Sequence, residues 1–235
     1  MDAIGRWWDH RNPLPYILPL VLYTFLAVSP EGLSPGELAV RFVLQTLVAG
    51  VALLAAWPVY QSLNWRVPLI TLPVAIAGGV LWIVLATGSY EWRLLETVGV
   101  PSLQQMAARP QFNPNPTFDG SALYVVFLAA RTIGLVAVVP LAEELFLRGF
   151  LLRYIGSPQW SERNVGDLTR WGWPAVVVYA IVSHPAEPLA AAAWFTLVTA
   201  LAWRTRSFAA CLVAHSVANA MLLVYVLAWE DWRLW

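Results

Sequence analysis

Lysine is missing from this chain of 235 residues, and cysteine occurs once, at Cys211. All 14 basic residues are arginine, balanced by 14 acidic ones, and charged residues make up only 12% of the chain. Soluble domains carry about twice that fraction, ~25%. A lone cysteine inside an apolar run excludes an internal disulfide. The absence of any basic run leaves nothing that points to nucleic acid as a partner. No HExxH motif is present, no internal repeat is visible, and no linker is long enough to separate two soluble domains. What the chain does have is hydrophobic residues at 59%, 14 tryptophans and 17 prolines, with a mean hydropathy of +0.62.

Several apolar runs reach the ~20 residues needed to cross a ~30 Å hydrocarbon core. They predict helices near 13–29, 38–62, 68–88, 121–155, 173–184, 188–203 and 207–229. The expected fold is all-α, a polytopic membrane bundle of about seven or eight transmembrane helices. Residues 1–119 would supply peripheral helices and a surface loop, and 120–235 the functional bundle, as one integrated membrane domain. The first run follows Arg6 and Arg11 as a signal peptide would, but Pro30 directly follows the one small-residue cleavage site, Ala27-Val28-Ser29. It is expected to be a retained helix.

Arginine placement predicts the orientation. Arg6, Arg11, Arg66, Arg153, Arg163, Arg170, Arg204 and Arg206 fall on one side, against Arg93, Arg109 and Arg233 on the other. By the positive-inside rule the N-terminus is cytoplasmic, in a multi-pass protein of the inner (cytoplasmic) membrane. Trp7, Trp8, Trp65, Trp160, Trp171, Trp173, Trp203, Trp229, Trp232 and Trp235 sit at run ends, as an interfacial belt requires. In the long connection 89–119, Tyr90 to Val100 reads as a short surface helix. The Asn113-Pro114-Asn115-Pro116 stretch after it reads as an irregular loop, more simply a plain connection than a lid.

Two regions break the pattern. A helix over 121–155 would be about 52 Å long, too long for one crossing, so it must emerge or kink, and Pro140 offers the kink. The runs 173–184 and 188–203 would be only about 18 and 24 Å long. They flank His184-Pro185-Ala186-Glu187-Pro188, a short helix pair broken by proline. Irregular backbone at membrane depth is tolerated only beside protein or a water-filled cavity.

Depth then gathers the polar residues. Glu143, His184, His215 and Asn219 all fall about 12–18 Å into the bilayer, measured from the expected cytoplasmic side. His215 and Asn219, four apart, share one helical face, and Glu144 with Arg148 has the spacing of an intrahelical ion pair. Glu143 is left without a partner on its own helix. A charge at mid-span costs ~2.5–3.5 kcal/mol on insertion scales, so such groups face each other or a wet interior. A purely structural pairing of Glu143 with a histidine or with Arg131 is the bland alternative. Arg41, near a span end, is expected to snorkel.

These residues resemble a family. Glu143-Glu144-Leu145-Phe146-Leu147-Arg148, followed by Gly149-Phe150, matches the EExxxR signature of the CAAX-protease and bacteriocin-processing membrane proteins. His215-Ser216-Val217-Ala218-Asn219 matches their HxxxN motif. His184 corresponds to the FxxxH motif, although position 180 is alanine here, with Tyr179 beside it. The resemblance covers roughly residues 120–229. The short chain and the tail Trp229-Glu230-Asp231-Trp232-Arg233-Leu234-Trp235 also look like a subgroup found alongside exosortase sorting systems in bacteria.

The resemblance implies an intramembrane glutamic endopeptidase. Glu143 would be the general base, His184 would help to hold the water, and His215 and Asn219 would donate to the oxyanion. Glu144 and Arg148 would orient the motif. No cofactor is implied; a zinc site at Glu143, His184 and His215 is the metal alternative. The implied partners are the lipid bilayer, a membrane-anchored or transmembrane peptide substrate, and an exosortase-type sorting system. Bacteria generally lack prenylated CAAX proteins, so the family name does not define the reaction. The rival readings are a proton-coupled transporter and a non-proteolytic scaffold built on the same cluster.

Overall fold

A computed structural model describes residues 9–27, 32–88, 90–97, 99, 112–118 and 120–234. Arg6, Trp7, Trp8, Arg109 and Trp235 lie outside them, as do the Val28-Ser29-Pro30 stretch and residues 100–111, the part of the long connection on which a lid would depend. The described chain is all-helical, with no strand among those residues.

The elements that position the site are α1 (Leu14–Phe25), α2 (Pro35–Ala55), α3 (Thr71–Thr87), α4 (Tyr90–Thr97), α5 (Ala122–Gly156), α6 (Gly172–Ser183), α7 (Pro188–Thr205) and α8 (Phe208–Trp229). By length and composition α2, α5 and α8 can each cross a membrane, while α1, α3 and α6 are shorter apolar helices. The starts follow local chemistry. Ser34 and Glu37 form a reciprocal capping box at α2, with Pro35 at the first helical position. The Ser207 side chain accepts from the Ala210 N–H at the start of α8.

Large apolar side chains face outward, and a cluster of charged ones is buried. Leu69 is 97% exposed, Val182 74% and Leu54 73%, whereas Glu144 is 0% and Arg148 1% exposed. A soluble protein distributes these residue types the other way. With hydrocarbon as the surrounding medium the arrangement is the expected one, because exposed apolar surface costs nothing there and ionisable groups must find one another.

Helix α5 carries the site, and it is irregular in two places. Gly134–Val138 and Leu145–Leu151 are π-helical, on either side of the α-helical stretch Val139–Glu144. Pro140 was expected to kink the helix. Its ring meets the carbonyl one turn back and it offers no N–H, and the backbone responds with a π-helical segment immediately before it. Such segments gather at functional sites.

The remaining helices pack around α5. α2 lies along its first half, α1 against its second half, and α8 against its middle. α3 packs on both α7 and α8. A close approach is at Gly78, where a Cβ atom would stand 2.1 Å from Cζ3 of Trp194. Only glycine fits there. The α7–α8 turn is tied to the segment before α3: Asn64 donates to the Arg206 carbonyl at 3.0 Å, and its own carbonyl accepts from the Phe208 N–H at 3.0 Å. Arg153 pins the loop after α5. Its Nη1 donates to the Gly149 carbonyl at 2.7 Å, Nη2 to that of Ser161 at 2.8 Å and Nε to that of Arg163 at 2.8 Å.

Candidate active site

A cavity of about 130 Å³ lies between α3, α5, α7 and α8. Glu143, His184, His215 and Asn219 all line it, joined by Arg131, Glu187 and Trp194. The four residues singled out from the sequence, which come from three separate stretches of chain, therefore reach one space.

Glu143 is 6% and His215 3% exposed. Nδ1 of His215 lies 2.9 Å from Oε1 of Glu144, and its Nε2 faces Oε2 of Glu143 at 3.6 Å. A carboxylate can only accept, so Nδ1 carries the proton and donates to Glu144. The imidazole is thereby oriented with Nε2 toward Glu143. At 3.6 Å the latter pair is beyond a direct hydrogen bond, which leaves a gap at the cavity wall.

Glu144 and Arg148 form the ion pair that their spacing predicts, with Nη1 donating to Oε1 at 2.8 Å. Arg148 also reaches α7, where Nη2 donates to the Phe195 carbonyl and to Thr199 Oγ1, each at 3.1 Å. One oxygen of Glu144 thus accepts from both Arg148 and His215, while Oε2 of Glu144 and Nε of Arg148 find no hydrogen-bond partner among the described residues. The pair links α5, α7 and α8 rather than acting within one helix alone.

Asn219 is held by the irregularity in α5. In the π-helical segment the Val139 N–H bonds to the Gly134 carbonyl, five residues back. The Leu135 carbonyl would then look to residue 140, which is proline and has no N–H. Asn219 Nδ2 donates to it instead, at 2.8 Å. A backbone acceptor stranded by proline therefore anchors the amide of the HxxxN motif. The sequence contained every part of this arrangement, but only the π register brings the parts together.

His184 caps the C-terminus of α6, at φ −130° and ψ 63°. The Ser183 hydroxyl donates to the Tyr179 carbonyl at 2.7 Å and lies 2.9 Å from Nδ1 of His184. With its own proton committed, the hydroxyl accepts from Nδ1–H, which leaves Nε2 as an acceptor. The ring packs near Trp82 and Phe195, each with centroids 5.4 Å away.

Two residues of the site were not anticipated. Tyr179 donates its hydroxyl to Oε1 of Glu143 at 2.7 Å, supplying from α6 the partner that α5 lacks. Its signal was the tyrosine beside the Ala180 that replaces the expected phenylalanine. Glu187, 6% exposed, lines the same cavity from the turn before α7. In the sequence it read only as part of a polar turn. No group of three His, Cys, Asp or Glu side chains is placed to hold a metal ion among the described residues.

These features define a helical membrane protein with a buried carboxylate–imidazole cavity. Residues 125–221, which include every residue of the EExxxR, His184 and HxxxN positions, match the family model for type II CAAX prenyl endopeptidase Rce1-like proteins. The matched stretch is the one whose motifs resemble the CAAX-protease and bacteriocin-processing proteins. No curated protein and no solved structure matches it.

Proposed function

We propose that this protein is an intramembrane endopeptidase that hydrolyses a peptide bond of a membrane-anchored or transmembrane substrate. The observation that carries the reading is the convergence of Glu143, His184, His215 and Asn219 on one cavity. Water enters between Glu143 and His184. Glu143 takes its proton as the oxygen attacks the peptide carbon, and later delivers that proton to the leaving nitrogen. The C–N bond breaks, a C–O bond forms, and the products are a carboxylate and an amine. Asn219 and Nε2 of His215 donate to the oxyanion. For Nε2 to donate while Nδ1 donates to Glu144, the ring carries a proton on both nitrogens. Glu144 and Arg148 hold His215 in that orientation.

The orientation with the N-terminus cytoplasmic and the location in the inner membrane of a bacterium belong to the same proposal, as does a working association with an exosortase-type sorting system. The row Glu143–His215–Glu144 also favours a second reading, a proton-coupled transporter. One experiment separates the two. Wild type and Glu143→Gln are reconstituted in vesicles with membrane-anchored candidate peptides, and cleavage and proton flux are followed together. Cleavage by wild type alone is the expected result. Flux without cleavage would sink the endopeptidase reading.

A further inference from the structure

Among the described residues, every wall of the Glu143 cavity but one belongs to a helix or to the turn from His184 to Glu187. The exception is Leu234, which comes from the 3-10 turn Trp232–Leu234 beyond α8. It meets the cavity beside Leu222, one helical turn along α8 from Asn219.

The chain is shaped to arrive there. α8 ends at Glu230, whose φ of 53° is left-handed and reverses the chain. That conformation is disfavoured for a residue other than glycine. Arg233 then closes on Asp231, with Nε and Nη2 each donating at 2.7 Å. This pairing keeps the polar side chains of the turn together while Trp232 and Leu234 are buried against Val226, Leu222 and Ala86. A tail that merely trailed from the helix would need neither the reversal nor the buried leucine.

The size of the cavity makes the second argument. With Leu234 in place it measures about 130 Å³, room for water but below the ~300–1,000 Å³ of sites that hold organic ligands. Something has to move before a peptide segment fits. The helical walls are bound into the bundle, through Arg148 and through the Gly78–Trp194 contact. The turn is held by its own ion pair, by the Tyr225 hydroxyl donating to Asp231 at 3.4 Å and by two apolar side chains.

We infer that the mouth of the cavity is a peptide-binding subsite whose resident ligand is the chain's own segment Asp231–Leu234, and that this segment withdraws before anything else reaches Glu143. Occupancy by the tail stands apart from the endopeptidase reading; only its displacement by a substrate rests on that reading.

The test measures access rather than catalysis. Cys211→Ala removes the only cysteine, and Leu222→Cys places a thiol on the cavity wall. The rate of its reaction with a charged, water-soluble maleimide is followed in detergent-solubilised protein. A chain stopped after Glu230 should react about tenfold faster or more, the gain when a conformer open one time in ten becomes permanently open. Asp231→Ala keeps the full length but loses the Arg233 pair, and should fall between the two, which preserves the test if the shortened chain folds poorly. Equal rates in the three proteins would overturn the inference. Repeating the series in a Glu143→Gln background gives the same ordering whether or not the protein cleaves peptides, so the two proposals fail separately.

Discussion

Tyr179 shows how one side chain completes a site that its motif leaves open. The EExxxR motif sets Glu143 facing inward with nothing on its own helix to meet it, and the phenol of Tyr179 supplies a hydrogen bond at 2.7 Å. Hydrogen bonds to a charged group contribute roughly 1.5–3 kcal/mol. Tyr179→Phe keeps the ring between Phe146 and Phe195 and removes only that bond. Turnover should fall about ten- to a hundredfold, with a measurable fall in the thermal unfolding temperature of the purified protein because the buried carboxylate loses a donor. Asn219→Ala acts on the transition state instead. Loss of one oxyanion donor costs about 2.7–4 kcal/mol, so the single-turnover rate should drop roughly a hundred- to a thousandfold while substrate binding persists. An Asn219→Ala protein that cleaves at the normal rate would remove the residue from the oxyanion site.

At the scale of the element, α5 does what a regular helix could not. Its π-helical stretch before Pro140 strands the Leu135 carbonyl, and Asn219 on α8 takes it up at 2.8 Å. Pro140→Ala returns an N–H to position 140 and offers that carbonyl a partner within the helix. The amide of Asn219 then loses its anchor. The expected outcome is a protein of equal or greater thermal stability with turnover reduced about tenfold or more, since a hydrogen bond of about 1.4 kcal/mol no longer positions the donor. A fall in stability together with activity would mean that the proline serves packing alone. The broken pair α6 and α7 contributes at the same scale. Ending α6 at Ser183 places His184 at the depth of Glu143 and turns Glu187 into the same space.

For the whole molecule, the Glu144–Arg148 pair is the interior fastener. It lies almost fully out of reach of solvent and joins α5, α7 and α8 through His215, Phe195 and Thr199. Replacing one member of a buried pair leaves the other charge unmatched, at a cost of about 3–5 kcal/mol. That is a large share of the stability of an ordinary domain, ~5–15 kcal/mol. Arg148→Leu should therefore unfold or aggregate in detergent at markedly lower temperature, read by fluorescence-detected size exclusion. The double variant Glu144→Leu with Arg148→Leu should recover much of that loss while remaining inactive, because His215 loses its orienting acceptor. Failure of the double variant to recover would mean that packing at these positions, not charge, dominates.

Much of this was legible in the sequence, and the reason is the solvent. In a bilayer the backbone must satisfy itself, so apolar runs translate directly into helices, and a few charges at mid-span have nowhere to go but inward. The run 121–155 became one helix from Ala122 to Gly156, and the run 173–184 became Gly172–Ser183. Residue spacing also sufficed for the Glu144–Arg148 pair. Tertiary structure alone decided which groups touch. Tyr179 meets Glu143 because α6 packs beside α5, Asn219 meets Leu135 because a proline shifts one helical register, and Leu234 meets the cavity because Glu230 turns the chain back. Depth along a helix is a local property that a sequence states; contact between helices depends on rotation and register, which emerge only when the whole bundle packs.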